Sequence, residues 1–388
     1  MNRKQRRATG KSQPPLPSQA AAKTDPSELH AQGLEAFQAG RADLAAELIA
    51  QAIAAGGEAP NLHYNLGIVL KAQGQLREAA ASYERAITRK PDYADAHNNL
   101  GNVWKELGER DKAKASFERA LHLRPGNPDT HYNLGVLCQA AGESGQAAHH
   151  FRQVLAHDPE DSRGIAILLA RLGAGSVPER TPAAQTQKIY DMRARFWDQE
   201  SSYFGHRLVA EALRDHASGP GLDILDIGCG TGLVGELVRP LALRLDGVDL
   251  SAAMLEKARA KRVYDRLEQA DLLSFLTAHP GRYDAILAAA TLIHFGNLQP
   301  LFQAASVCLR PKGLFVFTLF PNEPEGDDFT VAASDRLAQS GCFRHGAGYV
   351  ERLGAKNGLA VMALKSVLHE HDQDGNPVAG LLGVLRHE

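Results

Sequence analysis

The sequence predicts two structural classes in one chain: an all-α repeat superhelix first, and then an α/β domain built around a doubly wound parallel sheet. Three observations support this prediction. Glycine recurs with a 34-residue period in the first half, short apolar runs alternate with helical segments in the second half, and the first of these runs enters a glycine-rich turn. A length of 388 residues also exceeds what one compact core usually holds.

Four registers of the first half repeat every 34 residues. A first glycine and an alanine let two antiparallel helices approach closely, a second glycine ends the first helix, and a large apolar residue fills the gap between units. A closing proline ends three of the units, and Gly57 replaces it in the first. The first glycines are Gly33, Gly67, Gly101 and Gly135, and the alanines are Ala45, Ala79, Ala113 and Ala147. The second glycines are Gly40, Gly74, Gly108 and Gly142, and the large apolar residues are Ile49, Tyr83, Phe117 and Phe151. The closing prolines are Pro91, Pro125 and Pro159.

This pattern resembles the tetratricopeptide repeat. It predicts four repeats and a terminal capping helix within residues 26–172. Residues 1–25 are expected to be a disordered basic and proline-rich tail, because they carry charges and prolines but no periodic apolar residues. Residues 173–185 are expected to be a linker, and residues 186–388 the second domain. The repeats are predicted at about 26–59, 60–93, 94–127 and 128–161, with the capping helix over 162–172.

Three asparagines, Asn65, Asn99 and Asn133, recur at the repeat period although asparagine is a mediocre helix former. The same register of asparagines lines the concave surface in the repeat array of the O-linked N-acetylglucosamine transferase, where it grips peptide backbone. That resemblance implies a protein or peptide partner in a concave groove. In the alternative interpretation, each asparagine bonds the next repeat or was carried along by duplication. Three histidines also recur, in a groove-facing or inter-repeat register, and they lie too far apart to share a metal ion: His63, His97 and His131.

The first strand of the second half, Leu222–Ile227, runs into Gly228-Cys229-Gly230-Thr231-Gly232 and then into a helix. A strand, a glycine turn and a helix N-terminus form the crevice in which doubly wound sheets hold nucleotide-like ligands, and Gly228 and Gly230 leave bare backbone there. The spacing is neither the dinucleotide fingerprint nor a P-loop. Asp226 precedes the first glycine, where it would repel a pyrophosphate and suit the cationic ammonium of a methionine group. The charge therefore favours S-adenosylmethionine over NAD.

Two further acids end the next two predicted strands. Asp249 closes the second strand, where it is expected to accept hydrogen bonds from both ribose hydroxyls. Asp271 closes the third strand, where it is expected to accept from the adenine amino group. Leu250 and Leu272 follow these acids and are predicted to bind the same cofactor, and Cys229 is predicted as a small filler of the loop rather than a nucleophile.

The glycine loop, Asp249, Asp271 and the Leu309–Gly313 turn stand in the order typical of class I methyltransferases. The resemblance covers about residues 186–388 and implies a Rossmann-like domain. With the repeats, the chain resembles the bacterial tetratricopeptide-containing predicted methyltransferases. In that group an aromatic-rich helix, here around Tyr190, closes over the cofactor. In the alternative interpretation the aromatic residues of this helix only pack one face. A Rossmann-like domain without a ligand is the other alternative.

The acceptor side is less defined. His294 follows the fourth strand and is the best-placed candidate for a general base. His345 and Tyr349 resemble the part of the family that borders the acceptor. No Asn/Asp-Pro-Pro-aromatic clamp for amino groups is present, and Ala290 stands where relatives often carry an acid, which predicts a more apolar pocket. A base is needed only when the acceptor must lose a proton.

Bulk properties exclude several functional classes. The net charge of -2 and the pI near 6.8 do not favour a nucleic-acid binder. Four scattered cysteines argue against a zinc site or a disulfide framework and fit a reducing cytosol. No apolar stretch is long enough to span a membrane, and no apolar core follows the basic N-terminus as in a secretory signal. A cytoplasmic protein is therefore expected.

Three functions remain open. The leading hypothesis is an S-adenosylmethionine-dependent methyltransferase whose repeats recruit a protein substrate or partner. The alternative enzyme acts on a small molecule, and its repeats serve only assembly. The third hypothesis is a non-catalytic scaffold with a degenerate methyltransferase domain, although the intact Asp226, Gly228, Gly230 and Asp249 count against it.

Overall fold

The computed structural model describes residues 25–56, 58–199, 202–322, 328–331, 342–372 and 374–388. The predicted tail, apart from its last residue, and the repeat position Gly57 lie outside the described residues. The chain divides into two compact units between Leu137 and Cys138. This boundary lies inside the seventh helix, whereas the sequence-based division falls after residue 172.

The first unit consists of antiparallel helix pairs, as the tetratricopeptide pattern predicts. Each first helix ends before a glycine with positive φ, at +75° for Gly40 and Gly74 and +79° for Gly108. The first glycines of the repeats face the large apolar residues of the second helices, and Tyr83 also packs with Leu100 of the next repeat. The helices are α1 (Pro26–Gln38), α2 (Ala42–Ala54), α3 (Pro60–Ala72), α4 (Leu76–Arg89), α5 (Ala94–Glu106), α6 (Arg110–Leu123) and α7 (Pro128–Ala140), which crosses the boundary.

The second unit begins with helices and continues into the α/β domain. Its described helices are α8 (Ser144–His157), α9 (Ile165–Arg171), α10 (Ala183–Arg193), α11 (Gly205–His216), α12 (Leu233–Val238), α13 (Ala252–Lys261), α14 (Leu272–Thr277), α15 (Gln299–Cys308) and α16 (Ala347–Lys356). None of the helices in the described parts of the chain is long and apolar enough to cross a membrane.

The sheet confirms the predicted Rossmann-like fold. The described strands are β1 (Leu222–Ile227), β2 (Ala242–Asp249), β3 (Arg266–Gln269), β4 (Tyr283–Ala288), β5 (Leu309–Leu319), β6 (Phe329–Val331), β7 (Phe343–His345), β8 (Leu359–His371) and β9 (Pro377–His387). Over the described residues the main sheet has seven strands in the order β3-β2-β1-β4-β5-β9-β8, in which the first five are parallel and the last two antiparallel. Strands β6 and β7 form a separate pair.

The two faces of the sheet bury separate apolar clusters. On one face Leu225 and Phe317 pack with α15, and on the other Ile224 and Val316 pack with α11 and α12. The strand order reverses direction between β1 and β4, so the carboxyl ends of these two strands open a crevice. In doubly wound sheets such a crevice is the usual place for a ligand.

The close helix approach in the repeats predicts a cost for one added methyl group. A Cβ on Gly101 would lie 2.6 Å from two ring atoms of Phe117, which is fully buried. We expect Gly101→Ala to lower the free energy of unfolding by about 1–3 kcal/mol, because the buried ring must move. Calorimetric unfolding of the full chain measures this change.

Gly145 in α8 provides the matched control. A Cβ there would meet nothing within 4 Å, so Gly145→Ala should raise stability by about 0.5–1 kcal/mol through helix propensity. Equal stabilisation by both substitutions would contradict the packing account.

Candidate functional site

A cavity of about 900 Å³ opens at the carboxyl ends of β1, β2 and β4. Its wall combines the glycine loop, the residues after three strands, and a segment that precedes the sheet. Among the residues predicted to bind cofactor or act in catalysis, the lining includes Tyr190, Gly228, Cys229, Gly230, Asp249, Leu250, Asp271, Leu272 and His294.

The glycine loop presents backbone to the cavity. Gly230 has φ +53°, and a Cβ there would meet nothing within 4 Å, so the missing side chain leaves open space. Gly228 serves packing instead, because a Cβ there would clash with the side chain of Thr291. The Thr291 hydroxyl donates a hydrogen bond to the Ile227 carbonyl oxygen at 3.1 Å and so connects the segment after β4 to β1. The loop can therefore receive a ligand against bare backbone at Gly230.

Asp249 lies in the cavity wall and already binds the loop. Its Oδ2 accepts from the Gly230 amide at 2.9 Å, and its Oδ1 accepts from the Ser251 amide at 2.8 Å. Burial raises the pKa of Asp249, and these backbone hydrogen bonds oppose that shift. A carboxylate offers about four acceptor sites, and the backbone amides of Gly230, Ser251 and Leu250 act on this one, so part of its accepting capacity remains for hydroxyl groups such as those of a ribose.

Asp271 also lies in the wall, but it has partners that the sequence did not indicate. Its Oδ2 accepts from Arg180 at 2.8 Å, and its Oδ1 accepts from the Ser274 amide at 3.2 Å as the N-cap of α14. A ligand amino group at Asp271 would have to share the carboxylate with the Arg180 guanidinium.

Asp226 is not among the residues that line the cavity, and its contact with the ligand's ammonium group stays a prediction. The carboxylate is 1% exposed, and its Oδ2 accepts from the Tyr264 hydroxyl at 2.6 Å. Burial, and secondarily the charge of Asp249, raises the pKa of Asp226 to about 7, while the Tyr264 hydrogen bond lowers it. Sequence reasoning missed Tyr264, which carries no motif.

Part of the segment predicted as a linker forms one wall of the cavity. The amides of Gly296 and Asn297 donate to the Glu179 carbonyl oxygen at 2.7 and 2.9 Å, and the Thr181 amide donates to the His294 carbonyl oxygen at 2.8 Å. Arg180, Thr181, Ala183 and Thr186 consequently line the cavity. No local sequence signal distinguishes this pairing from a linker, because its partner lies more than 100 residues away.

Helix α10 and the residues after it are held by hydrogen bonds and an ion pair over the end of the cavity that the glycine loop forms. Asp191 accepts from the Ser251 hydroxyl at 2.5 Å, and Asp198 accepts from the hydroxyl of Thr231 in the glycine loop. Lys261 forms an ion pair with Asp198 at 3.3 Å. These contacts join the segment before the sheet to the loop and to the start of α13, and they close the cavity on that side.

Tyr190 and His294 meet inside the cavity. The Tyr190 hydroxyl lies 2.8 Å from His294 Nε2, and the edge of the Trp197 indole packs against the Tyr190 ring. His294 is 6% exposed, and burial, with a smaller contribution from Arg193, lowers its pKa to about 4. The imidazole is therefore neutral at pH 7. Its Nδ1 has no hydrogen-bond partner among the described residues.

Aromatic and small apolar side chains form much of the remaining wall. Tyr203 and His206 line it, with their rings 5.3 Å apart, and Ala290 lines it at φ +54°. The Ala290 amide donates to the Thr318 hydroxyl at 3.0 Å, which holds the backbone in this conformation. Tyr203 and His206 were missed by sequence reasoning because nothing near them marks a site.

His345 and Tyr349 are not among the residues that line the cavity, and their catalytic role stays a prediction. His345 Nε2 lies 2.7 Å from the Phe295 carbonyl oxygen, and burial lowers its pKa to about 4. The Tyr349 hydroxyl accepts from the Leu298 amide at 3.0 Å. Both side chains bind backbone just after His294, so they hold the segment that carries it.

The repeat asparagines lie in the first unit and bridge neighbouring repeats. Each Nδ2 forms a hydrogen bond with a side chain 35 residues earlier, on the first helix of the preceding repeat: Asn65 with His30 at 2.8 Å, Asn99 with Tyr64 at 3.1 Å and Asn133 with Asn98 at 3.2 Å. These contacts match the inter-repeat alternative. His97 and His131 lie within hydrogen-bonding distance of the carbonyl oxygens of Pro91 and Pro125, at 3.1 and 2.8 Å, and each proline closes the preceding repeat. No cluster of three potential metal ligands occurs in the described chain.

Comparisons with known proteins match both parts of the chain. A family model described as a methyltransferase domain matches residues 225–315, and tetratricopeptide repeat models match residues 30–70, 64–128 and 105–172. Methyltransferase-like protein 27 of Homo sapiens is 34% identical over 192 residues, which cover 45% of this chain and 78% of that protein.

The matches to two other relatives cover a smaller share of those proteins. Ubiquinone biosynthesis O-methyltransferase of Nitrosococcus oceani is 29% identical over 156 residues, which cover 38% of this chain and 66% of that protein, just under two thirds. Probable S-adenosylmethionine-dependent methyltransferase CRG1 of Saccharomyces cerevisiae is 35% identical over 133 residues, which cover 32% of this chain and 44% of that protein.

The Asp249 contacts predict a measurable loss of cofactor affinity. We expect Asp249→Ala to weaken S-adenosylmethionine binding about 10- to 100-fold, because hydrogen bonds to a charged acceptor contribute about 1.5–3 kcal/mol. Equilibrium dialysis measures this change. Asp284→Ala is the matched control, since Asp284 accepts from the Asp223 amide at 2.8 Å but does not line the cavity. An equal loss in both variants would refute a direct role for Asp249.

Proposed function

The chain belongs to the S-adenosylmethionine-dependent methyltransferases, and we propose that it methylates a hydroxyl group of an uncharged acceptor held against His294. The contact between Tyr190 and His294 carries this proposal, because it lies in the same cavity as the glycine loop and Asp249. The bound cofactor supplies an electrophilic methyl group on a sulfonium, a good leaving group. The task of the protein is to position the acceptor and to receive its proton.

The cofactor end of the cavity fits S-adenosylmethionine. The open backbone at Gly230 suits the methionine portion, and the free acceptor sites of Asp249 suit the ribose hydroxyls. Leu250 and Leu272 flank these groups in the wall and offer apolar surface to an adenine ring. Asp271 and Arg180 close that end, and Tyr190 from α10 covers the cavity.

The charges of the wall favour an uncharged acceptor. The charged side chains among the described lining residues are Arg180 and Asp271, which pair with each other, and Asp249, which binds backbone amides. His294 is neutral at pH 7. An acceptor bearing a full charge would therefore leave water for a site without a free opposite charge, which costs several kcal/mol.

A neutral imidazole beside a phenol suits an acceptor that must lose a proton. His294 is neutral at pH 7 and can take a proton at Nε2 from an acceptor hydroxyl that replaces the Tyr190 hydroxyl there, while Tyr190, whose pKa is raised by burial, keeps its own proton. A hydroxyl acceptor needs such a base, whereas a thioether sulfur or a tertiary amine does not. The relative from Nitrosococcus oceani is named an O-methyltransferase, which supports the same acceptor atom for this chain.

Replacing the base tests this proposal. We expect His294→Asn to lower the turnover number about 10²- to 10⁴-fold with little change in cofactor affinity, since a general base acts on the chemical step. Tyr190→Phe should lower it less. Release of S-adenosylhomocysteine in the presence of a panel of phenols and alcohols measures the rate.

The pH dependence of the methylation rate provides a second test of the role of His294. Because the pKa of His294 is depressed to about 4, the wild-type rate should show no His294 inflection between pH 6 and 8. His279→Asn, which alters a histidine outside the cavity wall, is the control. Unchanged turnover in His294→Asn would contradict the assigned role.

We also propose that the repeat array binds a protein substrate or partner. Matches to tetratricopeptide models over residues 30–172 support this proposal, since such arrays commonly present binding surfaces. The repeat asparagines use Nδ2 to bridge repeats. Each carboxamide also carries an Oδ1, which is the group we propose to accept from the backbone of a bound peptide.

A truncation placed by the structure tests recruitment. Removing residues 1–127 leaves α7 whole and spares the second unit, which begins at Cys138. With labelled S-adenosylmethionine in a lysate, we expect the full chain to label protein and the truncated chain to lose that labelling while still binding cofactor. An unchanged distribution of label between protein and small molecules would show that the array does not recruit the acceptor.

A further inference from the structure

We propose that Tyr264 is the positioning residue that holds the cofactor loop in its binding geometry, by anchoring Asp226 directly beneath it. This role rests on the methyl-donor site proposed above. The Tyr264 hydroxyl donates to Asp226 Oδ2 at 2.6 Å. Asp226 is the next-to-last residue of β1, two residues before Gly228, so the contact fixes the strand end from which the loop departs.

The ring of Tyr264 occupies space that three glycines leave. A Cβ on Gly232, Gly235 or Gly247 would lie 3.0, 2.5 or 3.0 Å from atoms of this ring. These glycines belong to the end of the cofactor loop, to α12 and to β2. One phenol therefore packs against three elements that surround the loop, most closely at Gly235, while at Gly247 the space is shared with Leu267 and Cys229.

The backbone that carries Tyr264 is itself held in place. The amide of the adjacent Asp265 donates to the Leu245 carbonyl oxygen at 2.8 Å, and the Leu245 amide donates to the Asp265 carboxylate at 2.8 Å. Arg239 forms an ion pair with the same carboxylate at 2.7 Å. A hydroxyl fixed by these contacts defines the position of Asp226 more closely than a side chain on a free loop would.

The hydrogen bond also affects the charge below the loop. The titratable groups that act on Asp226 are Tyr264, which stabilises the carboxylate, and Asp249, which opposes it, while Cys229 and Tyr203 respond to its charge. Burial raises the pKa of Asp226 to about 7. The carboxylate form, which attracts a cationic methyl donor, thus predominates only as the pH rises above this value, and affinity should increase with pH.

The test compares S-adenosylmethionine affinity in three full-length proteins from pH 6 to 8 by calorimetry. Tyr264→Phe keeps the ring and removes the hydroxyl, so we expect about tenfold weaker binding at pH 7 and a pH midpoint about one unit higher than in the wild type. Asp226→Asn should remove this pH-dependent component. Because the ligand's own amino group titrates equally in all proteins, the difference from Asp226→Asn isolates the contribution of Asp226.

Tyr283→Phe is the matched control. Tyr283 donates to a buried carboxylate, Asp246, at 2.8 Å in the same sheet but does not line the cavity, so its affinity and midpoint should equal those of the wild type. Tyr264→Phe with wild-type affinity and midpoint would overturn the role of Tyr264, as would an equal loss in both tyrosine variants. A wild type that binds no cofactor would refute the proposed function itself.

Discussion

The contact between the Asp249 carboxylate and the Gly230 amide is the interaction on which the site depends. The parallel register of β1 and β2 pairs Asp226 with Gly247 and Ile227 with Val248, and the Gly228 amide then donates to the Val248 carbonyl oxygen. This register brings the end of β2 beside the glycine loop, so that one carboxylate both shapes the loop and faces the cavity. Without that contact, neither bare backbone nor free carboxylate oxygens would be presented to the cofactor together.

The segment before the sheet forms the part of the cavity wall that the strand ends do not form. Its bridge to the residues after β4 places Thr181 beside His294, and α10 brings Tyr190 onto the same imidazole. His345 and Tyr349 hold that segment from the other side through backbone contacts. Elements distant in sequence therefore build the acceptor end of the cavity together. The few charged side chains of the wall pair with one another or accept from backbone amides.

Periodicity and strand-end chemistry predict much of this molecule. The 34-residue registers give the helix pairs, and the acids that follow apolar runs give Asp249 and Asp271 at adjacent strand ends, because parallel strands place their carboxyl ends at one edge. The charge of Asp226 predicts a place at the ligand, but charge alone does not predict where the side chain points. The side chain is buried and accepts a hydrogen bond from the Tyr264 hydroxyl. Arg180, Tyr203 and Tyr264 carry no local signature, since each acts through partners that only the folded chain brings close.

If one cavity, closed by the segment before the sheet, receives the cofactor, then bound S-adenosylhomocysteine should protect both sides of it. Amide hydrogen exchange of the full chain with and without S-adenosylhomocysteine measures this protection. We expect slower exchange in residues 179–190, in the glycine loop and in the residues after β2 and β4, with little change in the first unit. Protection confined to the glycine loop, with none in residues 179–190, would show that the segment before the sheet does not close over the cofactor.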